Sequence, residues 1–255
     1  FFYFGTHRIQ TMSRFLVLAL LFSQAAATLQ PQSDLTHSCF GFPAKSFHRN
    51  NNVKSTYGSS PHTGGGLQVG DFAYDFTLQD LDGNDVTLSN LINKKPTLLL
   101  WGMWTCPAFQ GLGNTEGSDA KFSKCSYEHE WDLVEKYSDK VHVVHLVGPE
   151  PHPLSPDTNF DEGVFKMSYW STTRQPKTYE DRLVMAEKIR EYVHPSASLL
   201  VDTLSSEVGE SNQGVWCTMG LGARTSMLIN QGGKILHTMD WFDADEVSEA
   251  IDALP

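Results

Sequence analysis

A chain of 255 residues that is 40% hydrophobic and 19% charged has the make-up of one sizeable globular domain with a tail, not of a fibrous or low-complexity protein. Its net charge of −11 argues against binding to nucleic acid or to an anionic membrane surface, whose phosphates attract Lys and Arg. Four cysteines, Cys39, Cys106, Cys125 and Cys217, are too few for a dense disulfide scaffold, and spacing does not choose among their pairings.

Met12–Ala27 has the layout of a secretory signal: Arg14, the apolar run Phe15–Phe22, then Ala25-Ala26-Ala27, with cleavage expected near Ala27. The run is short for a membrane-spanning helix, so an uncleaved anchor is the lesser alternative. Phe1–Thr11 precede the first methionine, and residues 1–27 are read together as a non-native leader plus signal peptide. Losing Arg8 and Arg14 takes the net charge from −11 to −13, and the mature chain is expected to be secreted or in the endomembrane lumen. Residues 28–69 carry Asn50-Asn51-Asn52, Ser59-Ser60-Pro61 and Gly64-Gly65-Gly66 and read as a flexible N-terminal segment. His37, His48 and His62 there lack metal-ligand spacing, and no metal site is expected. The folded domain is expected over residues 70–255.

Phe76, Leu78, Val86 and Leu88 flank Asp82-Gly83-Asn84 with alternating polarity, which predicts a β-hairpin. Thr97–Trp101 predicts a strand buried on both faces. Pro107 suits the first turn of a helix, which sets Cys106 at or near its N-cap, where backbone N–H groups and the helix dipole favour a thiolate. Gly111–Gly117 interrupts that helix, which resumes around Ala120–Tyr137 with Phe122, Leu133, Val134 and Tyr137 on its apolar face. Val141–Val147 is a β-branched strand on which His142 and His145 point to opposite faces, so they do not share a metal. Thr178 and Asp181 form a capping box for a helix ended by Pro195. Ser198–Asp202 predicts a strand, Thr225–Asn230 and Lys234–Met239 a hairpin, and Asp243–Leu254 a last amphipathic helix. This order predicts an α/β fold: a thioredoxin-like sandwich with a central mixed sheet, an N-terminal β-hairpin and helices on both faces. Sites in such sheets gather beyond the carboxyl ends of strands, where Cys106 follows one strand and Glu150 and His152 the next.

Several separated pieces resemble the iodothyronine deiodinases, thioredoxin-fold relatives of the peroxiredoxins that normally use selenocysteine. They are Thr105-Cys106-Pro107-Ala108-Phe109, Glu150-Pro151-His152-Pro153, Tyr179–Ala186 with its Glu180-Asp181-Arg182, Val201-Asp202-Thr203-Leu204, and Arg224–Ile229, within a span from Gly70 to Leu254. The resemblance implies Cys106 as nucleophile in place of selenocysteine, attacking the halogen of an aromatic substrate, with an external thiol reductant and no bound cofactor. The chain departs from the family at Gln175-Pro176-Lys177-Thr178, where a histidine is expected near the substrate, at Met239-Asp240-Trp241, and at Ala223 before Arg224.

His152 is the candidate proton donor or phenol-binding group, because histidine titrates near neutral pH. Glu150 can orient it, Thr105 can donate to the thiolate, and Arg224 can supply positive charge that lowers its pKa. Trp101, Trp104 and Trp241 read as core rather than pocket. Phe at position 109 rules out Cys-x-x-Cys, and Leu99 and Met103 stand where a peroxiredoxin has Pro and Thr. The alternatives are a thiol peroxidase at the same cysteine and a secreted non-catalytic binding protein on the same scaffold. The expected partners are a small aromatic or peroxide substrate and a thiol reductant; homodimerisation and a resolving role for Cys125 or Cys217 stay open.

Overall fold

Thr97–Trp101 (β3) is a strand with every side chain buried, and the sheet grows outward from it on both sides. The computed structural model describes residues 67, 69–111, 124–148, 150, 173–174, 176–203, 215–216, 219, 224–239 and 241–255. The expected leader and most of the segment over 28–69 lie outside them. No helix among the described residues is long and apolar enough to cross a membrane.

Ahead of β3, Thr77–Asp80 (β1) and Asp85–Thr87 (β2) pair antiparallel with Leu78 opposite Val86, and Gly83 turns the chain at a φ of +81°. Asp80 accepts the N–H groups of Asp82 and Asn84, which satisfies the turn from within. Leu88, expected in the hairpin, instead opens a short helix, Leu88–Ile92 (α1). Leu88 and Ile92 are four residues apart and both buried, and one helical turn stacks them side by side on the face that meets the core.

Helix α2 (Tyr127–Tyr137) leads from β3 into His142–Val147 (β4), which lies parallel to β3 with Leu100 opposite His145. Helix α3 (Tyr179–Ile189) has the predicted capping box, with Asp181 N–H donating to Thr178 Oγ1 at 3.2 Å and Thr178 N–H donating to Asp181 Oδ2 at 3.1 Å. It tightens into a 3₁₀ turn, Arg190–Tyr192, before Ser198–Val201 (β5). Ser226–Ile229 (β6) and Ile235–Met239 (β7) form the second hairpin, and Asp243 caps the last helix, Ala244–Asp252 (α4).

The sheet runs β2-β1-β5-β4-β3-β6-β7, with β3, β4 and β5 parallel at its centre and antiparallel strands outside them. Alternation along β3 divides the core. Leu98 and Leu100 join α2, α3 and α4 on one face, while Leu99 and Trp101 join α1, Val215, Trp216 and Met219 on the other. The crossover from β3 through α2 to β4, followed by the hairpin and α4, makes this a thioredoxin-like α/β sandwich.

Candidate functional site

Beyond Trp101 the chain leaves the sheet through Gly102 and a series of turns. Cys106 N–H donates to Met103 O at 3.1 Å and Gln110 N–H to Cys106 O at 3.1 Å, a single helical turn that continues no further than Gly111 among the described residues. The expected helix starting at Cys106 is therefore replaced by turns, and α2 begins at Tyr127 rather than Ala120. Without a helix there is no N-terminal dipole at the cysteine.

Cys106 is fully buried. Burial pushes its thiol up to about 11, against the pull of the Phe109 N–H, the Arg224 guanidinium and the Ala108 N–H, all of which favour the thiolate. This corrects the expectation of a lowered thiol pKa: the favourable groups are present, but desolvation outweighs them. Thr105 is also redirected. Its N–H donates to Glu150 Oε2 at 2.7 Å and its side chain bonds the same carboxylate, so the pair Thr105–Glu150 fixes the backbone entering the cysteine turn. Burial raises the Glu150 pKa, opposed by these hydrogen bonds and by the charge of Arg182.

Arg224, the candidate source of positive charge, is completely buried. Its Nε donates to Cys125 O at 2.9 Å, and Nη1 donates to Trp101 O at 2.8 Å and to Glu130 Oε2 at 3.2 Å. The other Glu130 oxygen takes His145 Nδ1 at 2.6 Å, while His145 Nε2 lies 3.2 Å from Gly102 O. Both His145 nitrogens thus face acceptors. Burial would raise the Glu130 carboxyl, but His145 and then Arg224 outweigh it and hold it below the usual range. The rings of Phe109 and Phe242 lie 5.1 and 5.0 Å from the guanidinium carbon and close the cluster off. One carboxylate between a guanidinium and an imidazole leaves the neighbourhood of Cys106 positive or neutral rather than negative.

A second buried group joins two of the motifs. Arg182 Nη1 donates to the carbonyls of Asp202 and Thr203 at 2.9 and 3.0 Å, and the Asp202 carboxylate accepts the N–H groups of Val215 and Trp216 at 2.8 and 2.7 Å. Cys106, Thr105, Glu150 and Arg224 therefore come together at the carboxyl ends of β3 and β4, with Arg182 close enough to act on Glu150. His152 and Cys217 lie outside the described residues. Trp101 is core, as expected, while Trp104 and Trp241 are half-buried. Trp104 lies tilted against Tyr192 at 5.8 Å, and Tyr192 meets Tyr127 edge to face at 4.8 Å, which sets aromatic rings beside the cysteine turn. Sequence reasoning missed Glu130 and His145. A histidine in the middle of an otherwise apolar strand was the available signal, since a buried histidine needs a partner.

No protein-family model matches the chain, and no curated protein matches it significantly. Solved structures similar in shape include the thioredoxin domain of a thiol-disulfide oxidoreductase from Bacteroides vulgatus, at 15% identity over 72% of this chain and 99% of that one, TM-score 0.44. A secreted Mycobacterium tuberculosis disulfide oxidoreductase homologous to Escherichia coli DsbE is 14% identical over 70% of this chain and 96% of its own, TM-score 0.42. A thioredoxin-like protein from Aeropyrum pernix is 16% identical over 71% and 89%, TM-score 0.41.

Proposed function

We propose that the chain is a thiol-dependent oxidoreductase in which Cys106 attacks the iodine of an iodinated aromatic ring. The observation that carries the reading is the seat of the Cys106 sulfur, at the carboxyl end of a central strand, facing two backbone N–H groups and the Arg224 guanidinium. These are the groups a thiolate needs, and burial outweighs them to push the thiol up.

In the reaction the thiolate takes the iodine, the carbon–iodine bond breaks, and the ring carbon receives a proton. His152 is the proposed proton donor. The resulting sulfenyl iodide is cleared by a second thiol, which forms a disulfide and releases iodide; two external thiols, or one dithiol, then return two electrons and two protons and are themselves oxidised to a disulfide. The oblique rings of Trp104, Tyr127 and Tyr192 favour an aromatic substrate. The complete burial of Cys106 favours a second reading, a hydroperoxide small enough to reach the sulfur. Delivery by the signal sequence to the secretory lumen belongs to either reading.

Incubating the full chain with dithiothreitol and either a diiodinated phenol or hydrogen peroxide tests this. We expect iodide release that disappears in Cys106→Ser. Peroxide consumption without iodide release selects the second reading, and iodide release that survives Cys106→Ser refutes the mechanism. Absence of both activities leaves the non-catalytic scaffold as the better description.

A further inference from the structure

We propose that Glu130 and His145 are positioning residues for the Cys106 nucleophile, holding Arg224 and Phe109 in place at the cysteine turn and leaving one guanidinium nitrogen uncommitted. The inference rests on the reading of Cys106 as nucleophile and adds two residues that act on it through others. Glu130 stands in the first turn of α2 and His145 on β4, and both are buried. A buried carboxylate and a buried imidazole carry a desolvation cost that apolar side chains of similar size would avoid, so packing alone does not account for them.

Two contacts fix the chain where it leaves β3 for the cysteine turn. Arg224 Nη1 donates to Trp101 O at 2.8 Å, and His145 Nε2 lies 3.2 Å from Gly102 O, so β4 and the approach to β6 grip consecutive carbonyls. Phe109 carries the cluster to the sulfur. Its N–H faces Cys106 and favours the thiolate, while its ring lies 5.1 Å from the Arg224 guanidinium carbon and 5.4 Å from the His145 ring. Its carbonyl accepts the Tyr127 N–H at 2.8 Å, which ties the same residue to the helix that bears Glu130.

Charge follows the same route. Glu130 commits Oε1 to His145 Nδ1 at 2.6 Å, so Oε2 meets Arg224, at Nη1, by a single contact of 3.2 Å. Arg224 Nη2 is buried without a hydrogen-bond partner among the described residues. A two-point fork between carboxylate and guanidinium is the stronger pairing and the one that most offsets the arginine's charge. By occupying Oε1, His145 holds the pair to one contact and leaves more of the Arg224 field for Cys106, where that charge favours the thiolate and Cys125 opposes it. The two residues therefore push the nucleophile in opposite directions. Losing the carboxylate strengthens the positive field at the sulfur; losing the imidazole lets the carboxylate close on Arg224 and weakens it.

The test measures iodoacetamide alkylation of Cys106 in the folded full chain at pH 9, resolved by peptide, with the folding of each variant checked by circular dichroism. In Glu130→Gln the Cys106 pKa should fall by about one unit; the thiolate fraction then rises about tenfold, its nucleophilicity drops about threefold, and the rate should rise about threefold. In His145→Leu the rate should fall about threefold, and His145→Gln, whose amide still donates to Glu130, should restore it. Any pattern other than these opposite signs overturns the inference and leaves the nucleophile standing, including a faster rate in both variants from loosened packing that wets the sulfur. A native Cys106 that takes no iodoacetamide while the chain is folded overturns both, so the two failures are read separately. If Glu130→Gln does not fold, His145→Leu decides by its sign: a slower Cys106 supports the inference, and a faster or unchanged one overturns it.

Discussion

Gly102 is where the geometry makes its sharpest demand. A Cβ built there falls 2.7 Å from His145 Nε2 and 2.9 Å from Arg224 Nη1, and closer still to His145 Cε1. Neither neighbour can easily give way, because His145 is held by Glu130 at 2.6 Å and Arg224 by Trp101 O at 2.8 Å. In Gly102→Ala the imidazole must tilt and lose its contact with Gly102 O. Overpacking costs about 1–3 kcal/mol and a lost hydrogen bond about 0.5–1.5, so a loss of about 2–4 kcal/mol is expected. Urea unfolding followed by tryptophan fluorescence should show this as a lower midpoint at unchanged slope. In a His145→Ala background the main obstacle is gone, and the second substitution should cost about 1–3 kcal/mol less than it does alone. A single-variant cost below about 0.5 kcal/mol, or strict additivity in the double variant, refutes the buried network as described.

Other consequences follow from the same contacts. Glu130→Gln removes the charge between Arg224 and His145 and should destabilise by about 3–5 kcal/mol in urea unfolding; an unchanged midpoint would contradict the ion cluster. Cys106 stands at about 11 folded against an ordinary 9.0, so between these pH values the unfolded chain has released a proton that the folded chain keeps. Stability from this group is full below pH 9 and falls as pH rises, by about 3 kcal/mol in all; Cys106→Ala should flatten that part of the alkaline stability curve. Thr178→Ala breaks the capping box of α3 and should cost about 0.5–2 kcal/mol, read as a fall in thermal midpoint.

The strands and the later helices were legible because their signals are local. The Val and Leu runs of β3 and β4, the Asp82-Gly83-Asn84 turn, and the capping residues Thr178 and Asp243 each act within a few positions of themselves. The placement of Cys106 at a strand end was legible for the same reason. Its environment was not. The thiol's pKa depends on burial by α2 and α4, and Arg224, Glu130 and His145 meet only because three elements distant in sequence pack over one another. Spacing carries no signal for such a meeting. Pro107 suggested a helix, yet one proline-initiated turn needs a continuing apolar face, and Gly111 at a φ of +71° ends the turn instead.

The most direct measurement of the central claim is the alkylation rate of Cys106 in the folded chain from pH 7 to 11.5, resolved by peptide and repeated in sub-denaturing urea. A native nucleophile under this burial should react at a rate that climbs about tenfold per pH unit until it levels near 11, and urea should leave the rate unchanged. A Cys106 that reacts only as the chain unfolds, at a rate that tracks urea, would contradict its role as the reacting thiol; a plateau below pH 8 would contradict the dominance of burial over Arg224 and the backbone N–H groups.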